Sequence, residues 1–408
     1  MSPSLAIRIV LPFALGYFLS YLYRSLNAVI APDLIRDIGL DAGILGLLTS
    51  AYFLTFAAFQ LPLGILLDRF GPRRCEAALL LFAALGALVF AQATSASGLI
   101  AGRALIGLGV SACLMAAFKA IRLWFPEDRL PLVNGIQMAA GGLGALTATA
   151  PVEFALHLTD WRGVFLILAA LTIAVALLVF TLVPERAAPS GTAETLGEAI
   201  GGIGTVFTSS NFWRLAPLTI MSQASMLAIQ GLWSGPWLRD VAGFERDGLA
   251  TVLLMIAAAM VTGFLGLGAL AERLGRNGIP TVSVAVVGMS CFMIVQACII
   301  IGWHDAAVPL WILFGFTATA GILPYSVLPQ FFSAQLSGRV ITALNMLVFG
   351  AAFAFQWGIG AVIDFWPKTT AGGFALTGYR AGFGMVLALQ VAALAWFLLA
   401  PRFTRRAA

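Results

Sequence analysis

Apolar residues run along this chain in long blocks, and short polar segments that carry most of the charge separate the blocks. Blocks of about 20 apolar residues match the length of an α-helix that crosses a bilayer. The pattern therefore predicts an all-α integral membrane protein with about twelve spanning helices. The first six predicted spans are 8–32, 44–67, 76–95, 99–123, 131–155 and 163–183. The second six are 213–237, 248–271, 280–302, 308–330, 340–363 and 380–400.

A segment rich in Gly, Ala, Ser, Thr and Glu separates the two sets of spans. It predicts an N-terminal six-helix bundle at 1–183, a cytoplasmic linker at 184–211 and a C-terminal six-helix bundle at 212–408. Two echoes indicate that the bundles are pseudo-repeats. Gly64, Asp68, Arg69 and Gly71 recur 204 residues later, half of the 408-residue chain, as Gly268, Glu272, Arg273 and Gly275. An aromatic residue followed by arginine also stands at the start of the sixth span, Trp161-Arg162, and of the twelfth, Tyr379-Arg380. Such a pair either anchors the helix at the lipid–water interface or takes part in gating. Internal repeats of this length in a membrane protein are typical of secondary transporters.

The composition supports a membrane protein and excludes several other classes. Hydrophobic residues make up 61% of the chain and charged residues 10%, against about 25% charged in soluble domains. The net charge of +5 is scattered over short loops, which does not indicate nucleic-acid binding. The four cysteines have no paired spacing, so we expect neither disulfides nor zinc, and no cofactor. No paired carboxylates or nucleophile–base pair converge, so we do not expect an enzyme.

The distribution of Lys and Arg predicts the orientation. With the N-terminus inside, fourteen of the 23 fall on the cytoplasmic side, six on the outer side and three within spans. Basic residues concentrate in cytoplasmic loops. We therefore expect a multi-pass protein of a bacterial-type inner membrane, with both termini in the cytoplasm. Its spanning helices should contact the lipid bilayer.

The segment Gly64–Arg74 resembles the loop signature between the second and third helices of the major facilitator superfamily. This resemblance implies two six-helix bundles that expose a central site to each side of the membrane in turn. It also implies that Asp68 helps to lock the cytoplasmic halves together. Arg103, in Gly102–Gly109, resembles the superfamily's fourth-helix motif, whose arginine is tied to proton handling; a structural role is equally open. The gating and coupling candidates are Asp68, Arg69, Arg73, Arg103, Glu153, Glu272 and Arg273.

Arg24 is the most informative single residue, because it lies within the first span. At about 100° per residue one helix face carries Tyr17, Ser20, Tyr21, Arg24 and Asn27. Such a polar face cannot contact lipid tails, and a guanidinium suits carboxylate or phosphate recognition. The Tyr-Leu-x-Arg order resembles the first helix of organophosphate and organic-anion members, which implies an anion contact; a structural or gating role is the alternative. The seventh span lacks the second arginine of the organophosphate members, which argues against phosphate esters.

Further polar residues within spans are candidate ligands. Lys119 either extends to the cytoplasmic surface or adds a second positive charge to the cavity. Each of the others is a substrate contact or a helix–helix hydrogen bond. The candidate substrate-binding residues are Tyr21, Arg24, Asn27, Tyr52, Lys119, Gln137, Gln223, Gln230, Tyr325, Asn345 and Gln356. Pro236 and Pro324 predict bent or broken helices near them.

Proton coupling requires a group that titrates within the membrane. Glu153 is the only carboxylate that the pattern places inside a span, near its outer end, where an interfacial role is also open. Its surroundings match the superfamily's antiporter motif only in part, because Ala150 stands before Pro151 where the motif has Gly.

The prediction that follows is a monomeric secondary transporter of a small organic anion, with import by proton symport. Proton-coupled efflux of drugs or metabolites is the alternative, but it would require an acidic group deep in the cavity. Uptake of copper or another metal through thioether ligands is a lesser alternative, since the methionines mostly point apart and no histidine joins them. A receptor or scaffold would have a dry, apolar centre, against which the polar face of the first span argues.

Overall fold

The protein is helical in its computed structural model, which describes residues 3–126, 130–185, 196–369 and 372–400. Within these ranges the chain has no β-strand. In chain order the first helices are α1 (Pro3–Ser25), α2 (Asn27–Ile38), α3 (Ala42–Gln92), α4 (Ala96–Val110), α5 (Cys113–Trp124), α6 (Leu130–Thr147), α7 (Ala150–Leu158), α8 (Trp161–Leu182) and α9 (Leu196–Phe207). The others are α10 (Ser210–Ala228), α11 (Ser234–Asp240), α12 (Arg246–Arg276), α13 (Thr281–Ile301), α14 (Ala307–Ala318), α15 (Pro324–Val327), α16 (Ala334–Ile363) and α17 (Leu376–Leu399).

Eleven helical segments of the described ranges, 19 to 31 residues long, are apolar and long enough to cross a membrane. The all-α membrane prediction is therefore confirmed. The fifth expected span, 131–155, differs because it is divided between α6 and α7. Thr149 has non-helical backbone angles (φ −106°, ψ −116°), and Pro151 follows in the first turn of α7. A proline cannot donate the backbone hydrogen bond of a helix interior, so it favours a new helix start.

The loop signature forms a sharp turn inside α3. Gly71 has φ 77° and ψ 163°, and Pro72 follows it, so the two spans Ala42–Gln60 and Arg69–Gln92 meet at this kink. Glycine reaches positive φ without steric cost, which explains why this position holds one. The second copy of the signature behaves differently, because Gly275 stays helical in α12 and the positive φ of 84° occurs at Gly278.

The chain forms two compact units. Unit 1 is Met1–Gly39 with Ala51–Glu198, and unit 2 is Leu40–Ser50 with Ala199–Ala408. Leu40–Ser50 belongs to unit 2 because the backbone N–H groups of Ala42 and Gly43 donate to the Asp364 carboxylate, at 3.0 Å and 2.5 Å. This pairing is not evident from the sequence, which predicts that the segment belongs to the N-terminal bundle. Helix α9 lies within the stretch that composition assigned to the linker.

Glycines in unit 1 let α6 approach α1 closely. A Cβ added at Gly144 would overlap the carbonyl oxygen of Phe18, and one added at Gly141 would overlap the ring of Tyr17. Small residues permit such close packing between membrane helices. The Gln137 side chain then donates a hydrogen bond of 3.0 Å to the Phe13 carbonyl. Helix α6 therefore covers part of the polar face of α1.

In unit 2 a buried polar network joins α10, α13 and α17. Ser225 Oγ lies 2.8 Å from Gln296 Oε1, and Gln390 Nε2 donates to both, at 3.1 Å and 3.0 Å. Each polar atom thereby gains a partner away from water. Near Pro236 the seventh span contains a π-helical turn at Ile229–Trp233, and near Pro324 the tenth span breaks into short 3₁₀ and α segments. The predicted irregularities at both prolines are therefore confirmed.

The paired arginines of the repeat make the same kind of contact in each unit. Arg162 donates to the Ala93 carbonyl just beyond α3, at 3.1 Å. Arg380 donates to the carbonyls of Ile300 and Ile301 at the end of α13, at 3.1 Å and 2.5 Å. A cation at these carbonyls interacts favourably with the negative end of the helix dipole. The two arginines thus occupy equivalent structural positions.

The four cysteines are free thiols; Cys75 and Cys113 are buried, and Cys291 and Cys298 are not.

Candidate functional site

Aromatic rings surround the guanidinium of Arg24 at the end of α1. The guanidinium carbon lies 4.7 Å from the Tyr21 ring centroid, 5.4 Å from that of Phe56 and 5.7 Å from that of Tyr52. Cations are attracted to the faces of aromatic rings at these distances. We call Tyr21, Tyr52 and Phe56 the aromatic cage. The cage holds a half-buried positive charge within unit 1.

Ser20 and Asn27, on the same predicted polar face as Arg24, differ in their contacts. The Tyr52 hydroxyl donates to the Ser20 carbonyl at 3.3 Å and lies 3.5 Å from the Ser20 hydroxyl, which fixes the Tyr52 ring beside α1. Asn27 is fully buried, and neither atom of its side-chain amide has a hydrogen-bond partner among the described residues. Buried amides are normally hydrogen-bonded.

Arg103 holds the end of α1 in place. It is 1% exposed, and its guanidinium donates a hydrogen bond of 3.0 Å to the carbonyl of Tyr23, the residue before Arg24. Its guanidinium carbon also lies 5.7 Å from the Tyr52 ring centroid, so Arg103 and Arg24 contact the same aromatic ring. The two arginines therefore share Tyr52 as a neighbour.

Lys119, on α5, contacts the last residue of the second predicted span, 44–67. Its ammonium donates a hydrogen bond of 2.7 Å to the carbonyl of Leu67, four residues before the Gly71 turn. There it satisfies a carbonyl near the end of a helix, as cations commonly do. Glu153 is 3% exposed in the first turn of α7, and its carboxylate lies 3.9 Å from the His157 imidazole.

Several candidates of unit 2 lie in its irregular helices or contact them. Gln230 lies in the π-helical turn, and Gln356 donates to the Ala228 carbonyl just before that turn, at 3.5 Å. Gln223 packs against Gly321 in the broken tenth span, and its Nε2 has no partner among the described residues. Tyr325 and Asn345 are half-buried on α15 and α16. Broken helices with exposed backbone polar groups are typical of transporter sites.

Two arginines of the first loop signature contact the chain just beyond α8. Arg74 and Arg73 approach the Glu185 carboxylate, at 2.5 Å and 3.8 Å. Arg69 lies over the ring of Phe70, which follows it in the chain. The side chain of Asp68 lies outside the described part of the structure. In the second copy, Glu272 pairs with Arg276 one turn later, and Arg273 is exposed.

The structure also buries a carboxylate that was not singled out from the sequence. Glu76 is fully buried in the span Arg69–Gln92. The expectation that Glu153 is the only carboxylate within a span is therefore wrong. Glu76 is the first residue of the predicted third span, 76–95, and lies two residues after Arg74, where charge is expected to be in water. The helical spacing to Leu80, Ala83 and Ala87, all fully buried, was the available signal.

Comparison with known proteins gives consistent results. The sequence profile of the Major Facilitator Superfamily matches residues 13–356. A probable sulfoacetate transporter of Cupriavidus necator is 25% identical over 276 residues, 64% of each chain. The match thus spans less than two thirds of that relative's length. A hexuronate transporter of Bacillus subtilis is 24% identical over 91% of this chain and 87% of its own. A bacterial homologue of the human lysosomal transporter Spinster, crystallised facing inward, superimposes with a TM-score of 0.77 over 98% of both chains at 18% identity.

Proposed function

Because the chain belongs to the Major Facilitator Superfamily, whose members are transporters and not enzymes, we propose that it carries a small organic anion and that Arg24 binds the anionic group. The observation that carries this proposal is the guanidinium of Arg24 inside the aromatic cage. A planar guanidinium matches the geometry of carboxylates and sulfonates, because it can donate two parallel hydrogen bonds.

The cage supports this role in two ways. The rings exclude water from one side of the guanidinium, and electrostatic attraction strengthens where water is excluded. They also limit the rotation of the long Arg24 side chain, so less conformational entropy is lost when an anion binds. The buried amide of Asn27 and the hydroxyl of Tyr52 are the neighbouring polar groups that we assign to the substrate.

The relatives support the same substrate class. Sulfoacetate carries a sulfonate and a carboxylate, and hexuronates carry a carboxylate on a sugar. In unit 2, Gln223, Gln230, Tyr325, Asn345 and Gln356 stay candidate substrate contacts, since amides and hydroxyls can hydrogen-bond a polar organic group. We place the protein in a bacterial-type inner membrane with both termini in the cytoplasm, as the distribution of basic residues indicates.

The test is ligand-dependent thermal stabilisation of the purified full chain in detergent. The probes are sulfoacetate, galacturonate, neutral D-xylose and the cation tetraphenylphosphonium. A ligand that binds the folded state raises its apparent stability. We expect an anion to stabilise the wild type. Arg24→Gln should weaken its binding about 10- to 150-fold, the loss expected for hydrogen bonds to a charged group.

The matched control is Arg36→Gln, which removes an arginine whose side chain is 69% exposed on α2. This variant should bind the anion as the wild type does. Stabilisation by the neutral or cationic probe that survives in Arg24→Gln would overturn the proposal, and Arg24 would then hold helices together or gate the pathway.

A further inference from the structure

We propose that Glu76 is the proton-binding group of this transporter, so that the anion bound at Arg24 is carried together with a proton taken up and released by the Glu76 carboxylate. The inference rests on the proposed anion transport for its coupling role. The location of the carboxylate is independent of that function. Glu76 is fully buried in the third span, and neither carboxylate oxygen has a hydrogen-bond partner within the described ranges.

The space for this carboxylate is provided by a glycine on the neighbouring helix. A Cβ added at Gly16 of α1 would overlap Oε1 of Glu76 and would lie 3.8 Å from Sγ of Cys113 on α5. The carboxylate therefore lies between the backbone of α1 and a thiol of α5. Any side chain larger than hydrogen at position 16 would compete with it.

The charged and titratable groups on the surrounding elements are few. From α5 the Cys113 thiol lies against the same point of α1 as the Glu76 carboxylate. Lys119 on α5 is bonded to the Leu67 carbonyl. On its own helix the neighbouring Cys75 thiol donates to the Leu66 carbonyl, at 3.0 Å. From α1 the groups are Tyr17, which packs against α6, and Arg24.

These surroundings decide which protonation state the observed conformation favours. Burying an ionised carboxylate costs free energy when neither a hydrogen-bond donor nor a counter-ion replaces its water. The carboxylic acid carries no charge and avoids most of this cost. The structure therefore corresponds to the protonated form. When alternating access admits water, the acid can transfer its proton to a water molecule. On the opposite side the carboxylate takes a proton from hydronium and leaves water behind.

Helix α1 connects Glu76 with Arg24. Gly16 and Arg24 are eight residues apart on α1, about 12 Å along the helix axis. Both sites therefore contact the same helix. One proton and one singly charged anion cross the membrane with no net charge, which avoids the cost of moving a charge through lipid.

The first experiment needs no knowledge of the substrate. Infrared spectra of the reconstituted full chain are recorded across acidic to alkaline pH. We expect the carbonyl band of a carboxylic acid to persist well above the pH at which glutamic acid in water is ionised. The band should be lost in Glu76→Gln and kept in the control Asp305→Asn, which changes an exposed carboxylate. A wild type without this band, or a Glu76→Gln variant that keeps it, overturns the proposal.

The second experiment tests coupling in proteoliposomes with labelled sulfoacetate and galacturonate. The wild type should accumulate an anion against its gradient when a pH gradient is imposed. Glu76→Gln should lose this accumulation and keep exchange of internal for external anion, which needs no net proton movement and shows that the variant is folded. Glu76→Asp should restore part of the accumulation. Asp305→Asn should behave as the wild type.

The outcomes separate the two proposals. Full proton-driven accumulation of the anion by the Glu76→Gln variant excludes Glu76 as the coupling group and leaves anion transport standing. The same conclusion follows if the wild type exchanges anions but does not accumulate them under a pH gradient. If the wild type neither accumulates nor exchanges either probe, the proposed anion transport fails for these substrates. The infrared result then decides alone whether Glu76 binds the proton.

Discussion

Arg103 on α4 donates a hydrogen bond of 3.0 Å to the main-chain carbonyl oxygen of Tyr23 on α1. This bond fixes the last turn of α1, from which Arg24 projects into the aromatic cage. A side chain from one helix thus determines the backbone position of a charged group on another. Arg103 is itself almost fully buried, so its loss cannot be compensated by water.

We expect Arg103→Gln to lower the free energy of unfolding by about 1–3 kcal/mol, the cost of leaving a buried polar group without its charged partner. Anion binding should weaken as well, because the end of α1 is released. Thermal unfolding in detergent and anion titration measure the two effects. Arg276→Gln is the control, since Arg276 is 77% exposed and its pair with Glu272 is expected to contribute less than about 1 kcal/mol. Unchanged anion affinity in Arg103→Gln would show that Arg103 does not position Arg24.

The hydroxyl of Tyr23 is 2.9 Å from that of Thr172 on α8, and both side chains are fully buried. Tyr23→Phe and Thr172→Val should each destabilise unit 1 by about 1 kcal/mol, the usual net value of one hydrogen bond. The double variant should lose less than the sum, because the second change leaves no further partner unsatisfied. Chemical unfolding of all four proteins measures this coupling. Strict additivity would mean that the two hydroxyls do not interact.

Gly144 is a position where α6 and α1 are too close for any side chain. Gly144→Ala should push the helices apart and destabilise the protein by about 1–3 kcal/mol, the range found for overpacking. The matched control is Gly384→Ala in α17, where an added Cβ meets no atom within 4 Å. That change should be neutral or slightly stabilising, since alanine favours helix. Equal melting temperatures for the two variants would contradict the close packing.

Asp37 predicts a specific acid sensitivity. Partial burial opposes its ionisation, but hydrogen bonds from Trp161 and Arg36 outweigh burial and hold the pKa of the Asp37 carboxyl below its usual value. A carboxyl with a depressed folded-state pKa contributes stability above its unfolded pKa of about 3.9. That contribution is lost as pH falls through the folded pKa.

Unfolding measured along an acid series should therefore be less steep in Asp37→Asn than in the wild type. Trp161→Phe should reduce the slope only in part, because it removes one of the hydrogen bonds and leaves Arg36 in place. If Asp37→Asn loses stability with falling pH as steeply as the wild type does, other carboxyls cause the acid sensitivity.

Several features were determined by the sequence alone. The spans follow from the length of apolar blocks, because a helix must satisfy its backbone hydrogen bonds internally to cross lipid. The turn at Gly71 was evident from Gly and Pro within a charged segment, and the irregular helices at Pro236 and Pro324 from proline chemistry. These are local properties, so neighbouring residues are sufficient to predict them.

Other features depend on contacts between residues far apart in the chain, and only the tertiary structure decided them. Whether Glu76 faces water or a glycine on α1 depends on how α3 packs, and sequence position beside Arg74 suggested the wrong environment. The carbonyl that binds Arg103 and the carboxylate that binds Ala42 lie 80 and 322 residues away. Membrane helices present similar apolar surfaces to lipid and to one another. Hydrophobicity therefore located the helices, and close packing with hydrogen bonds determined which faces meet.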